Sequence, residues 1–76
     1  MFSKNIFSER LLALRKKNNI SQTAIANELG ITYFQISKME NAIRGPSIEV
    51  AYALADYFGV SLDYLVGRTD NPEINK

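Results

Sequence analysis

Nine lysine and arginine side chains, eight aspartates and glutamates, and no histidine or cysteine define the chemistry open to this 76-residue sequence. Without imidazole or thiol there is no disulfide, no nitrogen- or sulfur-ligated zinc site and no nucleophile activated by histidine. The four glycines are scattered and build no phosphate-cradling loop. An enzyme of this composition would depend on carboxylates alone, in a chain too small to enclose a capacious pocket. No metal or cofactor is expected. What remains is binding chemistry, and the charges are sorted along the chain. Between residues 10 and 44, Arg10, Arg15, Lys16, Lys17, Lys38 and Arg44 face only Glu28 and Glu40. From residue 45 onward the balance reverses, with Arg68 and Lys76 against Glu49, Asp56, Asp63, Asp70 and Glu73. The formal charge of +1 conceals this division into a basic half suited to a polyanion and an acidic half that is not.

The length allows one domain of marginal stability. A hydrophobic fraction of 46% is that of a folded core and not of a disordered chain. No apolar run approaches the roughly 20 residues of a membrane span, and the opening from Met1 to Phe7 lacks a signal-peptide core. A soluble, reducing, cytoplasmic setting is the expectation.

Helical periodicity organises the chain. Phe7, Leu11 and Leu14 recur at i, i+4 and i+7, predicting a first helix over about residues 6–18, ended by Lys16-Lys17-Asn18-Asn19. Ser21 is placed to cap a second helix with Ile25, Ala26 and Leu29 inward, and Gly30 supplies the left-handed residue that stops it. Thr32-Tyr33-Phe34-Gln35 matches a capping box, so the third helix begins at Tyr33, with Ile36 and Met39 inward. After the loop Asn41 to Pro46, Ser47 caps a fourth helix whose apolar face is Ile48, Ala51, Leu54, Ala55 and Phe58, closed by Gly59. Ser61 caps a short fifth helix with Leu62 and Leu65 inward, closed by Gly67. No segment alternates with period two for long enough to make a strand. The reading is an all-α, compact five-helix domain over residues 1–67, with residues 68–76 a flexible tail or the start of a linker.

The second and third helices carry the informative constellation. A tight turn can set two helices near a right angle only with a small residue where they touch, a residue tolerant of positive φ in the turn, and a β-branched residue locking the second helix from beneath. Ala26, Gly30 and Ile36 stand at that spacing, with Ile25, Leu29, Ile31 and Met39 in the other inward positions. In these residues the sequence resembles the phage repressor and Cro-type helix-turn-helix family, and the resemblance runs from Phe7 to Gly67. It is carried also by Arg10-Leu11, Leu14-Arg15, Ser21-Gln22, Ser37-Lys38, Glu40-Asn41, Pro46-Ser47-Ile48-Glu49 and Phe58-Gly59-Val60-Ser61-Leu62-Asp63.

The resemblance implies a lambda-repressor-like fold and a sequence-specific DNA-binding transcriptional regulator of repressor type, whose third helix enters the major groove of double-stranded DNA. It implies a homodimer on a two-fold symmetric operator. Matching the family's pattern, Tyr33, Phe34, Ser37 and Lys38 take base-reading positions: Lys38 suits guanine O6 and N7, Ser37 pairs with several bases, and the rings suit thymine methyls. Gln22, Thr32, Asn41 and Arg44 fall to backbone phosphate. Gln35, Lys16 and Lys17 are further candidates for which local chemistry already supplies a reason, the capping box for Gln35 and the helix dipole for the lysines. Arg15 and Glu40 match a pair that ties the first helix to the third. Apolar residues of the fourth and fifth helices, Tyr57, Val60, Leu62 and Tyr64, fall to the dimer interface.

Two departures from the family pattern stand out. Adjacent aromatics at Tyr33-Phe34 replace the usual polar side chains, and they either read thymines or mark a protein-facing surface. Ala42 stands where the family often has glycine; because a left-handed alanine costs about 1 kcal/mol, Asn41 is expected to take that conformation instead. The rival to the regulator is a protein-interaction module on the same fold, an antirepressor or antitoxin-like partner of another protein.

Overall fold

Each helix of this chain begins in the same way. The computed structural model describes residues 3–73, which form α1 (Lys4–Lys17), α2 (Gln22–Leu29), α3 (Tyr33–Glu40), α4 (Ile48–Phe58) and α5 (Leu62–Leu65). Ser3, Ser21, Thr32, Ser47 and Ser61 precede them in extended conformation, and each hydroxyl accepts the amide hydrogen three residues on. An extended cap with an oxygen acceptor satisfies one of the four amides that a helix start leaves unpaired. Among the described residues there is no strand, and the fold is all-α as expected. The first helix starts two residues earlier than its apolar stripe suggests, because Ser3 and not Phe7 determines where it begins.

The helices also end alike. Asn19, Gly30, Ala42, Gly59 and Gly67 all have positive φ, between 58° and 88°. The next amide then returns to the carbonyl five residues back: Ile20 to Arg15, Ile31 to Ala26, Ile43 to Lys38, Val60 to Ala55 and Arg68 to Asp63. This closure satisfies orphan carbonyls and turns the chain back toward the helix it has just left. Ile20 and Ile31 thereby pack against the core, and Val60 joins it outright.

Ala42 itself adopts the left-handed conformation (φ +58°), and the expectation that Asn41 would do so is corrected. Asn41 has φ −97° and ψ 11°, and its side-chain Nδ2 donates to the Ser37 carbonyl at 2.8 Å. Ending the helix one residue sooner would displace Glu40, whose carboxylate is bound to α1.

One cluster forms the core: Phe7, Leu11 and Leu14 of α1, Ile25 and Ala26 of α2, Ile36 and Met39 of α3, Leu54 and Ala55 of α4, Val60, and Leu65 of α5. Ile48 does not join the inward stripe of α4. It is 72% exposed, because it occupies the first helical position, one turn before Ala51 and clear of the cluster. Gly67 is confined twice: its φ is +88°, and a Cβ would stand 2.7 Å from Ile6 Cγ2.

Residues 68–73 are not a free tail. The Arg10 guanidinium lies 4.2 Å from the centre of the Tyr64 ring and donates to the carbonyls of Tyr64 and Thr69 and to Asp70 Oδ1. The Ser61 amide donates to the Pro72 carbonyl at 2.9 Å. Residues 74–76 of the expected tail lie outside the described residues. No described helix is long and apolar enough to cross a membrane.

Ala42→Gly is expected to raise stability by about 1 kcal/mol, since glycine adopts positive φ without the Cβ penalty. For a domain this size that corresponds to a rise in melting temperature of about 4–8 °C, read by calorimetry.

Candidate nucleic-acid interface

The turn between α2 and α3 sets the geometry of everything outside it. Gly30, at φ +69°, ends α2, and Ile31 turns inward. Both arms of the capping box then fix the start of α3: the Gln35 amide donates to Thr32 Oγ1 at 3.2 Å, and the Thr32 amide donates to Gln35 Oε1 at 2.9 Å. Ile36 and Met39 are buried in the core, so the other side of α3 faces outward. On it Phe34 is 72% exposed and Tyr33 47%, Lys38 and Asn41 are exposed, and Ser37 is half-buried. Phe34 and Lys38 stand one turn apart, so they form one row, with Tyr33 and Ser37 in the adjacent row. The side chains of Lys38, Arg44, Lys16 and Lys17 are exposed, and none forms an ion pair among the described residues.

Behind this face, three helices meet at one carboxylate. Arg15 of α1 donates from Nε to Glu40 Oε2 at 2.6 Å and from Nη2 to Oε1 at 3.0 Å, and its Nη1 donates to the Ile20 carbonyl. Gln22 of α2 donates from Nε2 to the same Oε1 at 2.8 Å. The side chains are sequestered, with 14% of Arg15 and 5% of Glu40 exposed. The hydrogen bond to Glu40 raises the Arg15 pKa above its ordinary value, against the opposing effect of burial. This stabilisation is full below the unfolded-state pKa of arginine and is lost only as pH rises through the still higher folded value, so it persists across the neutral range.

The structure redistributes several of the expected contact residues. One N–H of the Gln22 amide is committed to Glu40, which leaves its second for a phosphate. Gln35 gives its carbonyl to the capping box and lines a small cleft with Arg44, Pro46 and Val50. Asn41 folds its amide back on its own helix end. Thr32 is exposed beside the first turn of α3.

The expected dimer residues do not form one surface. Val60 is corrected: it is 7% exposed and belongs to the core, turned under α4 by the left-handed Gly59 before it. Tyr64 is half-buried beneath Arg10. Tyr57 packs edge-on against Phe58 and lies about 140° around α4 from Tyr52 at 3.6 residues per turn. Leu62 lines an open groove between α4 and α5 with Tyr52, Ala55 and Val60, joined by the carboxylates of Asp56 and Asp63. Tyr52, which is exposed, is not among the residues expected at a dimer contact. Its signal was available, since Ile48 and Tyr52 are large apolar residues at i and i+4.

Comparison with known proteins gives a consistent result. The model of a family described as Helix-turn-helix matches residues 11–65. The HTH-type transcriptional regulator AnsR of Bacillus subtilis is 42% identical over 60 residues, covering 79% of this chain and 52% of AnsR. The cryptic phage CTXphi transcriptional repressor RstR of Vibrio cholerae is 37% identical, covering 79% of this chain and 54% of RstR. The chain thus spans about half the length of these curated relatives. The solution structure of the SOS-response transcriptional repressor LexA from Eubacterium rectale superposes with a TM-score of 0.81 at 28% identity, over 97% of this chain and 76% of that one.

Replacing Glu40 with Gln leaves the sequestered Arg15 charge without its counter-charge. A loss of about 3 kcal/mol in urea unfolding is expected. Replacing both partners, Arg15→Met with Glu40→Leu, is expected to cost less than Glu40→Gln alone, because no unpaired charge is then buried.

Proposed function

Since this chain belongs to the phage repressor and Cro-type helix-turn-helix family, we propose that it is a DNA-binding transcriptional regulator of repressor type that reads the major groove with α3. The observation that carries this reading is the outward row of α3. Phe34 and Lys38 stand clear of the fold while Ile36 and Met39 hold the helix from beneath. Tyr33 and Ser37 flank them, and the four side chains together are the base-reading set. Lys38, which has no counter-ion among the described residues, supplies donors for guanine O6 and N7. Arg44, Thr32 and the second amide hydrogen of Gln22 serve the phosphates, with Lys16 and Lys17 adding positive potential at the end of α1, while the Asn41 amide stays on Ser37. A cytoplasmic setting and the absence of any catalytic role go with this target.

The same reading includes a homodimer on a two-fold symmetric operator. Its contact is assigned to the groove of Tyr52 and Leu62, extended by the exposed Ile48. Asp56 and Asp63 line this groove, and their charge keeps it off the phosphate backbone. The exposed pair Tyr33–Phe34 favours a second reading, a protein-interaction module, which expects no preferred DNA sequence.

Selection from a random duplex pool is expected to enrich one sequence, with half-sites about one helical turn apart. On the selected duplex, Lys38→Ala is expected to relax preference at one base pair. Arg44→Ala should weaken all sequences alike and flatten the dependence of log K on log salt by about 0.9. Absence of any enriched sequence favours the interaction module. Tyr52→Glu places a charge in the groove between α4 and α5 while sparing the core. Sedimentation is expected to show a monomer, and titration of the full operator should lose its cooperativity.

A further inference from the structure

The outward face of α3 combines two properties seldom placed together. Phe34 is 72% exposed and brings a ring with neither donor nor acceptor, and the next residue in its row, Lys38, brings an ammonium with no ion-pair partner among the described residues. A protein partner that covered the ring would also have to desolvate that charge. A DNA groove meets both demands, since acceptor atoms and apolar methyls lie side by side along its floor. The ring itself is selective about what it can cover. Pressed against an adenine, guanine or cytosine edge, it would strip water from a polar group and give nothing in return. Among major-groove edges, thymine alone presents an apolar group, its C5 methyl.

The placement of Phe34 is controlled. Tyr33 and Phe34 are the first two residues of α3, and the two-armed capping box fixes the backbone of that turn. The rings meet edge to face, with centroids 5.7 Å apart and planes at 72°. Tyr33 is about half covered by protein, so it limits the swing of its more exposed neighbour. Resting on the reading that α3 enters the major groove, we propose that Phe34 determines specificity by covering the C5 methyl of one thymine in each half-site, with Tyr33 as the positioning residue that holds the ring against it.

Deoxyuridine scanning tests this directly, because uracil keeps every donor and acceptor of thymine and lacks only the methyl. Each thymine of the duplex selected from a random pool is replaced singly, and affinities are measured by fluorescence anisotropy. At one thymine per half-site the exchange is expected to weaken binding by about fourfold, the worth of one buried methyl. With Phe34→Ala, whose folding is checked by its circular dichroism melting curve, the thymine and uracil duplexes should bind equally at that position. Tyr33→Ala should reduce the thymine-to-uracil ratio without abolishing it. If a sequence is enriched but no thymine is distinguished from uracil, or if the distinction survives Phe34→Ala, methyl reading by Phe34 is overturned while DNA recognition stands. If no sequence is enriched, DNA reading by α3 fails and this inference with it.

Discussion

Glu40 is the joint on which the arrangement of the first three helices depends. Its two oxygens take three hydrogen bonds, two from Arg15 of α1 and one from Gln22 of α2, at the last residue of α3. A carboxylate this sequestered is tolerable only because each of its demands is met. A bidentate guanidinium also fixes direction as well as distance. The apolar contacts of Ile36 and Met39 hold α3 against the core, yet apolar packing leaves rotation about the helix axis less sharply defined. The charged joint at one end and the capping box at the other remove that freedom. The outer row of α3 is consequently presented at one angle, which an interface reading a rigid groove requires.

The same economy governs the helix ends. A domain this small buries a modest core, and its short helices would be marginal on propensity alone. Five hydroxyl caps and five left-handed closures satisfy terminal groups locally and define each boundary to the residue. The closures also decide burial. The residue after each left-handed position is drawn back toward its own helix, which is why Val60 lies in the core and why Ile31 seals the turn between α2 and α3. Ile43 after Ala42 and Arg68 after Gly67 occupy the equivalent position and stay exposed, and of the five stops only that at α3 is made without glycine or asparagine.

Arg10 performs a comparable service at the far end of the chain. By stacking on Tyr64 and taking the carbonyls of Tyr64 and Thr69, it turns residues that follow α5 into part of the fold. Its ion pair with the fully exposed Asp70 adds little, because water screens such a pair. The stacking and the carbonyl contacts are the substantive interactions. They also occupy a ring, that of Tyr64, expected from the sequence at a contact with a second subunit.

Features that depend on neighbours within four or five places are legible in the chain alone. The caps at Ser21, Thr32, Ser47 and Ser61, the glycine stops, the inward positions Ile36 and Met39, and hence the outward Phe34 and Lys38, follow from hydrogen bonds and periodicity that span a single turn. Features that depend on a partner far along the chain emerge only when the helices pack. Asn41 does not take the left-handed conformation that its side chain would tolerate, because Glu40 must remain helical to meet Arg15, 25 residues away. Gln22 is half spent on the same carboxylate, Arg10 restrains a segment that composition suggests is loose, and Tyr52, not Tyr57, shares a groove with Leu62. Local bonds are written in spacing; which surfaces remain uncovered is settled only when the helices have been packed, since burial belongs to the assembly and not to any one segment.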